Sequence, residues 1–146
     1  MTVNFEKDAI KRVSEATIGF VALTIGGLIY IQYRSESLLM FDWFRDLNIS
    51  DFIASIRNNA EESNVYGWVI YNMPAGLWLF AYLLIIEAIW GKDKNFLCMC
   101  YLYILPILAI VSELMQYFGF LPGTFDYLDL LSYVSAILLF TIIKKL

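Results

Sequence analysis

Residues 96–118 read FLCMCYLYILPILAIVSELMQYF, and the first seventeen of them carry no charge before Glu113 is reached. At about 1.5 Å per residue, a helix of that length already rises roughly 25 Å. A hydrocarbon core about 30 Å thick calls for about 20 mostly apolar residues. This stretch therefore predicts a membrane-crossing helix. Three more stretches have the same character, at about 16–33, 65–90 and 128–143. Backbone polar groups inside a bilayer must bond within their own segment, which makes each stretch helical. The fold class expected is all-α: a bundle of four transmembrane helices forming one transmembrane domain over 1–146.

The composition agrees. Hydrophobic residues make up 60 % of the 146 residues and charged residues 16 %, where soluble domains run at about 45–50 % and about 25 %. So short a soluble globule could not hide that much apolar surface. Ten Lys and Arg against fourteen Asp and Glu also speak against a nucleic-acid partner. The chain has no histidine, which removes histidine-based zinc sites and Ser-His-Asp triads. No cofactor and no metal site is expected. Cys98 and Cys100 have C-x-C spacing without other soft ligands, and should be reduced thiols at the cytoplasmic edge. No small-residue cleavage pattern follows the first span, so it is expected to stay as an anchor.

Positive charge orients the spans. Lys7, Lys11 and Arg12 precede the first, Lys92 and Lys94 lie between the second and third, and Lys144 and Lys145 follow the fourth. With four spans these seven share one side, against Arg34, Arg45 and Arg57 on the other. Both termini are expected in the cytoplasm. In the loop 34–64, Phe41, Trp43, Phe44 and Leu47 precede a helix start at Ser50-Asp51. Ile49, Phe52, Ile53 and Ile56 then fall at helical spacing. Arg57 and the Asn58-Asn59 pair complete it. This predicts one short interfacial helix, resting on the headgroups or closing as a lid over an outward cavity. Ala9, Ile10 and Val13 give a similar, weaker signal. Ala22 with Gly26, and Ser132 with Ala136, offer small-residue faces for close helix approach, within the chain or between copies. Glu87, near the inner boundary, is expected to be solvated or paired with Lys92 or Lys94.

Ionisable groups inside a bilayer are costly, so their depth carries information. Glu113 and Gln116 share a face near the outer end of the third span. Asn72 lies about 10 Å inside the second. Asp126 and Asp129 bracket the start of the fourth, followed by Tyr133 one turn on. These six residues, from three helices, are expected at one outer level as a ligand-binding pocket. Asp126 also reads as a helix cap. Pro74 and Pro106, at matched depth, would free the carbonyls of Ile70 and Leu102 and could splay a vestibule. Gly67, Gly76 and the Asn72-Met73-Pro74-Ala75-Gly76 run mark the second helix as the irregular one.

The segment Ser112-Glu113-Leu114-Met115-Gln116, with Leu121-Pro122-Gly123-Thr124-Phe125-Asp126-Tyr127-Leu128-Asp129-Leu130, resembles the core of the VanZ-like family of small multi-span bacterial membrane proteins. That family has Glu-x-x-Gln on one helix, a Pro/Gly turn, then Asp-rich residues opening the next helix. Glu113, Gln116, Asp126 and Asp129 fall on those positions. The family's following Asn and Gly are Tyr133 and Ala136 here. The resemblance implies a protein of the bacterial cytoplasmic membrane and cell envelope, in a family named after a member linked to teicoplanin resistance.

Three functions are weighed. The first is non-catalytic binding of a membrane lipid headgroup, a lipid-linked precursor or a lipophilic glycopeptide, through charge-assisted hydrogen bonds. The second is a scaffold, channel or transport subunit, as a homo-oligomer or with a membrane partner. The third is a surface hydrolase or transferase with Glu113 as general base, and Asp126 and Asp129 positioning substrate or holding Mg²⁺ or Ca²⁺.

Overall fold

A computed structural model describes residues 2–57, 66–92 and 95–145. These form seven helices: α1 (Thr2–Tyr33), α2 (Leu39–Asp46), α3 (Ser50–Arg57), α4 (Gly67–Tyr71), α5 (Met73–Trp90), α6 (Phe96–Tyr117) and α7 (Tyr127–Lys145). Four segments, Glu6–Tyr33, Met73–Trp90, Phe96–Tyr117 and Tyr127–Lys145, are long and apolar enough to cross a bilayer. The chain is a multi-pass, all-α membrane protein.

α5 is apolar on every face, the pattern of a helix surrounded by others. It packs against α1, α6 and α7 and contributes Leu79, Leu83 and Leu84 to the core. Leu102 of α6 and Ala136 and Phe140 of α7 complete that core. The remaining spans turn apolar side chains outward, among them Phe20, Ile107 and Leu138. These are surfaces for lipid.

Small residues set how closely the helices approach. A Cβ on Gly26 would lie 2.8 Å from the Trp78 ring, and one on Gly19 would lie 2.9 Å from Ile85. Ala22, between them, is buried. On the other flank of α5, a Cβ on Gly76 would lie 3.0 Å from both the Cβ and the carbonyl oxygen of Ser132. Both small-residue faces are thus spent on packing within the chain, one joining α1 to α5 and the other α5 to α7.

Several elements differ from expectation. The amphipathic N-terminal stretch and the first span are one continuous helix, α1. The first loop holds two short helices rather than one. α3 begins at the expected Ser50, but α2 gave no start signal, because Leu38 at its N-cap has no side chain that can accept from the backbone. Phe41 and Ile53 turn inward, while Leu39, Trp43, Leu47 and Phe52 stay exposed. Asn58, Asn59 and the first residue of the expected second span, Val65, lie outside the described residues. The second span is interrupted at Asn72, between α4 and α5. Pro74 therefore sits in the first turn of α5, where its missing N–H costs nothing, and does not kink a helix midway. Pro106 alone lies inside a helix.

Two arginines tie the helices at opposite ends. Arg57 donates to the carbonyls of Ile31 (2.6 Å) and Arg34 (2.9 Å) at the end of α1, and pairs with Glu36 at 3.1 Å. This folds α3 back onto α1. Arg12 of α1 donates to the carbonyls of Ala88 and Ile89, each at 2.7 Å, at the end of α5. Beside it Lys92 pairs with Asp8, and Lys144 of α7 reaches buried Glu87 at 3.4 Å. Among the described residues Lys92 pairs with Asp8 and Lys144 meets Glu87; Lys94, the other expected partner, lies outside them. Cations on C-terminal carbonyls offset the helix dipole. Arg12→Ala should lower unfolding stability in detergent by about 1–2 kcal/mol. Arg12→Lys should recover only part of that, since one ammonium does not reproduce the two-pronged fork.

Candidate functional site

The end of the bundle opposite these lysines carries the candidate site. The break at Asn72 sets it up. Asn72 closes α4 by donating its N–H to the Trp68 carbonyl at 3.0 Å and precedes the proline-led turn of α5. The interruption points its side chain at the start of α7. Its amide nitrogen donates to Asp126 Oδ2 at 2.7 Å and to Asp129 Oδ1 at 2.9 Å. Asn72 is 4 % exposed, so this amide is fully committed between two carboxylates.

Asp126 also caps α7. Its Oδ1 accepts from the Leu128 N–H at 2.8 Å, while its own N–H donates to Glu113 Oε2 at 3.4 Å. The capping reading is therefore realised on Oδ1, while Oδ2 accepts from Asn72. Glu113, 6 % exposed, comes to the layer from α6. It meets the backbone of the Asp126 turn rather than the Asn72 amide. Tyr133, one turn past Asp129, packs against the core and lies within electrostatic reach of Asp129 and Glu113.

Five of the six expected residues thus share one layer. Gln116 is displaced from it. Its amide lies under the α6–α7 turn, where a Cβ on Gly123 would stand 3.0 Å from its Cδ and Nε2. Gly123 has φ 130°, which only glycine adopts without strain. Gln116 supports the turn that delivers Asp126. Gly123→Ala should cost about 1–3 kcal/mol from strain and crowding together. A shorter side chain at 116, as in Gln116→Ser, should relieve the crowding part; denaturation of the single and double variants measures the coupling.

One member of the site was not foreseen. Arg34, just past α1, stacks its guanidinium over the rings of Tyr30 (5.2 Å) and Tyr71 (5.4 Å). It lies within electrostatic reach of Asp129. Its buried Nε has no hydrogen-bond partner among the described residues. In the sequence Arg34 serves only the charge balance that orients the spans, and the signal for its place here is its position one residue beyond an apolar span.

The chemistry follows from counting donors. Three carboxylates have about four acceptor sites each. Among the described residues, Glu113 receives one long bond, Asp129 one from Asn72, and Asp126 two. Most of the acceptor capacity in a low-dielectric layer is unspent, which suits ammonium, hydroxyl or amide donors. Among the described residues, no three His, Cys, Asp or Glu side chains are grouped as a metal site would need. No protein-family model, curated protein or solved structure matches this chain.

Proposed function

We propose that the chain is a VanZ-like protein of the bacterial cytoplasmic membrane, with both termini in the cytoplasm and the carboxylate layer facing outward. In this reading it binds, without catalysis, an amphiphile with a donor-rich head: a lipid headgroup, a lipid-linked precursor or a lipophilic glycopeptide. The observation that carries it is the donor shortage just described: two carboxylates share the Asn72 amide, and Glu113 beside them receives one long backbone bond. The resemblance of Glu113, Gln116, Asp126 and Asp129 to the VanZ-like core supports the placement in the cell envelope and a link to antibiotic resistance. The seven basic residues at the other end support the orientation.

A conducting role is less well supported. Leu79, Leu83, Leu84, Leu102, Ala136 and Phe140 fill the bundle between the charged layers, and an ion passing among these side chains would meet only apolar groups.

Cysteine accessibility tests the reading. With Cys98 and Cys100 replaced by serine, Asp129→Cys should react in intact cells with a membrane-impermeant thiol reagent. Dodecylamine or a lipophilic glycopeptide should slow that reaction. A cysteine sealed from the outside, or one that neither amphiphile protects, overturns it.

A further inference from the structure

The two short helices between α1 and α4 carry more apolar side chain than the protein covers. α2 turns about 100° per residue, so its apolar residues fill an arc of about 200°. Phe41, at one edge of that arc, is buried, with the Arg57 guanidinium over its ring at 5.0 Å. Leu39, Trp43 and Leu47 gather toward the other edge and are 63, 57 and 67 % exposed. Asp42, Arg45 and Asp46 fill the rest of the circumference, where Arg45 pairs with Asp42. α3 divides in the same way, with Ile53 turned inward and Phe52 outward. The two helices are one unit. Asn48 between them has φ 56°, a left-handed conformation that asparagine tolerates. Its N–H donates to the Arg45 carbonyl and that of Ile49 to the Phe44 carbonyl, both at 3.0 Å. This pair of bonds closes the C-terminus of α2 and fixes the direction in which α3 leaves it.

Two observations put a bilayer surface against the exposed edge. The unit is fastened to the end of a membrane span: Arg57 holds the carbonyls of Ile31 and Arg34, where the segment Glu6–Tyr33 ends. The other spans carry exposed aromatic side chains at this same end, among them Tyr66, Trp68, Tyr117 and Tyr127. Bilayer interfaces collect tyrosine and tryptophan at that level. The outward edge of α2, with Trp43 at its middle, thus continues the lipid-facing surface of the spans. Charge decides how it is held. Residues 35–57 carry four carboxylates, Glu36, Asp42, Asp46 and Asp51, against two guanidiniums, Arg45 and Arg57. Both guanidiniums are paired with carboxylates of the same segment. A net acidic unit gains nothing from anionic headgroups, so its contact has to come from apolar insertion.

We infer that α2 and α3 form a membrane-surface anchor that inserts Leu39, Trp43, Leu47 and Phe52 among the lipids of the leaflet at this end of the bundle. Its partner is the apolar zone just beneath the headgroups, and zwitterionic and anionic lipids serve it alike. The polar arc of α2 faces water. Insertion commits the outward edge to lipid and excludes its closing as a lid over the carboxylate layer. It holds whether or not that layer binds a ligand.

Spin labelling of the full-length protein in vesicles tests this. With Cys98 and Cys100 replaced by serine, a nitroxide is attached in turn through Trp43→Cys, Leu47→Cys, Phe52→Cys and, on the polar arc, Asp46→Cys. The vesicles are phosphatidylcholine, alone or mixed with phosphatidylglycerol. Labels replacing Trp43, Leu47 and Phe52 should favour collision with oxygen, which concentrates in lipid, over a water-soluble nickel chelate. The label replacing Asp46 should favour the chelate, and the two ratios should differ several-fold. That contrast should be the same in both vesicles and at low and high salt. All four positions are exposed, and Leu47 and Phe52 serve if the Trp43 variant fails to fold. A chelate that reaches the three apolar positions as readily as position 46 overturns the insertion. Labels sealed from both reagents overturn it too and assign the edge to protein; spectral narrowing on dilution with unlabelled chain then identifies a second copy. An oxygen preference that arises only with phosphatidylglycerol at low salt overturns the apolar mode of attachment.

Discussion

Asn72→Leu should cost the protein about 2–4 kcal/mol, among the largest losses available from a single side chain here. The substitution removes two hydrogen bonds to carboxylates, each in the range of about 1.5–3 kcal/mol. It also leaves Asp126 and Asp129 facing one another, half-buried, with no amide between them. Half-buried charge left uncompensated adds to the cost of such a change. Asn72→Asp keeps the shape and should be worse than leucine at neutral pH, since it adds a carboxylate where a donor stood. Reversible unfolding in mixed micelles measures both. A second substitution separates the causes. Asp129→Asn in the Asn72→Leu background should restore part of the loss if repulsion dominates, and none if only packing was lost.

Gly76→Leu should separate α5 from α7 and cost about 3 kcal/mol or more, with Gly76→Ala about 1–3 kcal/mol. The atoms that a Cβ would meet at 3.0 Å include the Ser132 carbonyl oxygen. Backbone in a helix cannot swing aside as a long side chain can. The comparison residue is Gly27, where a Cβ would meet nothing within 4 Å. Gly27→Ala should be neutral or stabilise by about 0.5–1 kcal/mol through helix propensity alone. If the two alanine variants unfold alike, close helix approach at Gly76 is not what holds α7 in place.

The four spans were legible because length without charge is a thermodynamic requirement of the bilayer, and it is written along one dimension. The level shared by Asn72, Glu113, Asp126 and Asp129 was legible for the same reason, since depth follows from residue count. Azimuth does not. Gln116 stands three residues beyond Glu113 at nearly the same depth, yet its amide goes under Gly123 and not into the layer. Likewise Lys144 arrives at Glu87 from α7, and Lys92 pairs with Asp8 of α1. Arg34 escaped notice because its role depends on Tyr30 and Tyr71 arriving from two helices. The break before Pro74 was flagged by composition, but its use, turning one amide toward α7, depends on three-dimensional packing. The second short helix of the first loop, α2, lacked the polar cap on which recognition of a helix start relies.

Arg12 finds its acceptor 76 residues downstream, on Ala88. At about 5–20 residues per second, the ribosome needs roughly 4–15 s to make that carbonyl after Arg12 emerges. During biogenesis the first span must therefore wait at the insertion machinery, or drift in the bilayer with its guanidinium unbound. The later span has to return to it. Assembly order is thus built into this chain: α1 is made before α5, and Arg12 can latch the two only after α5 is complete.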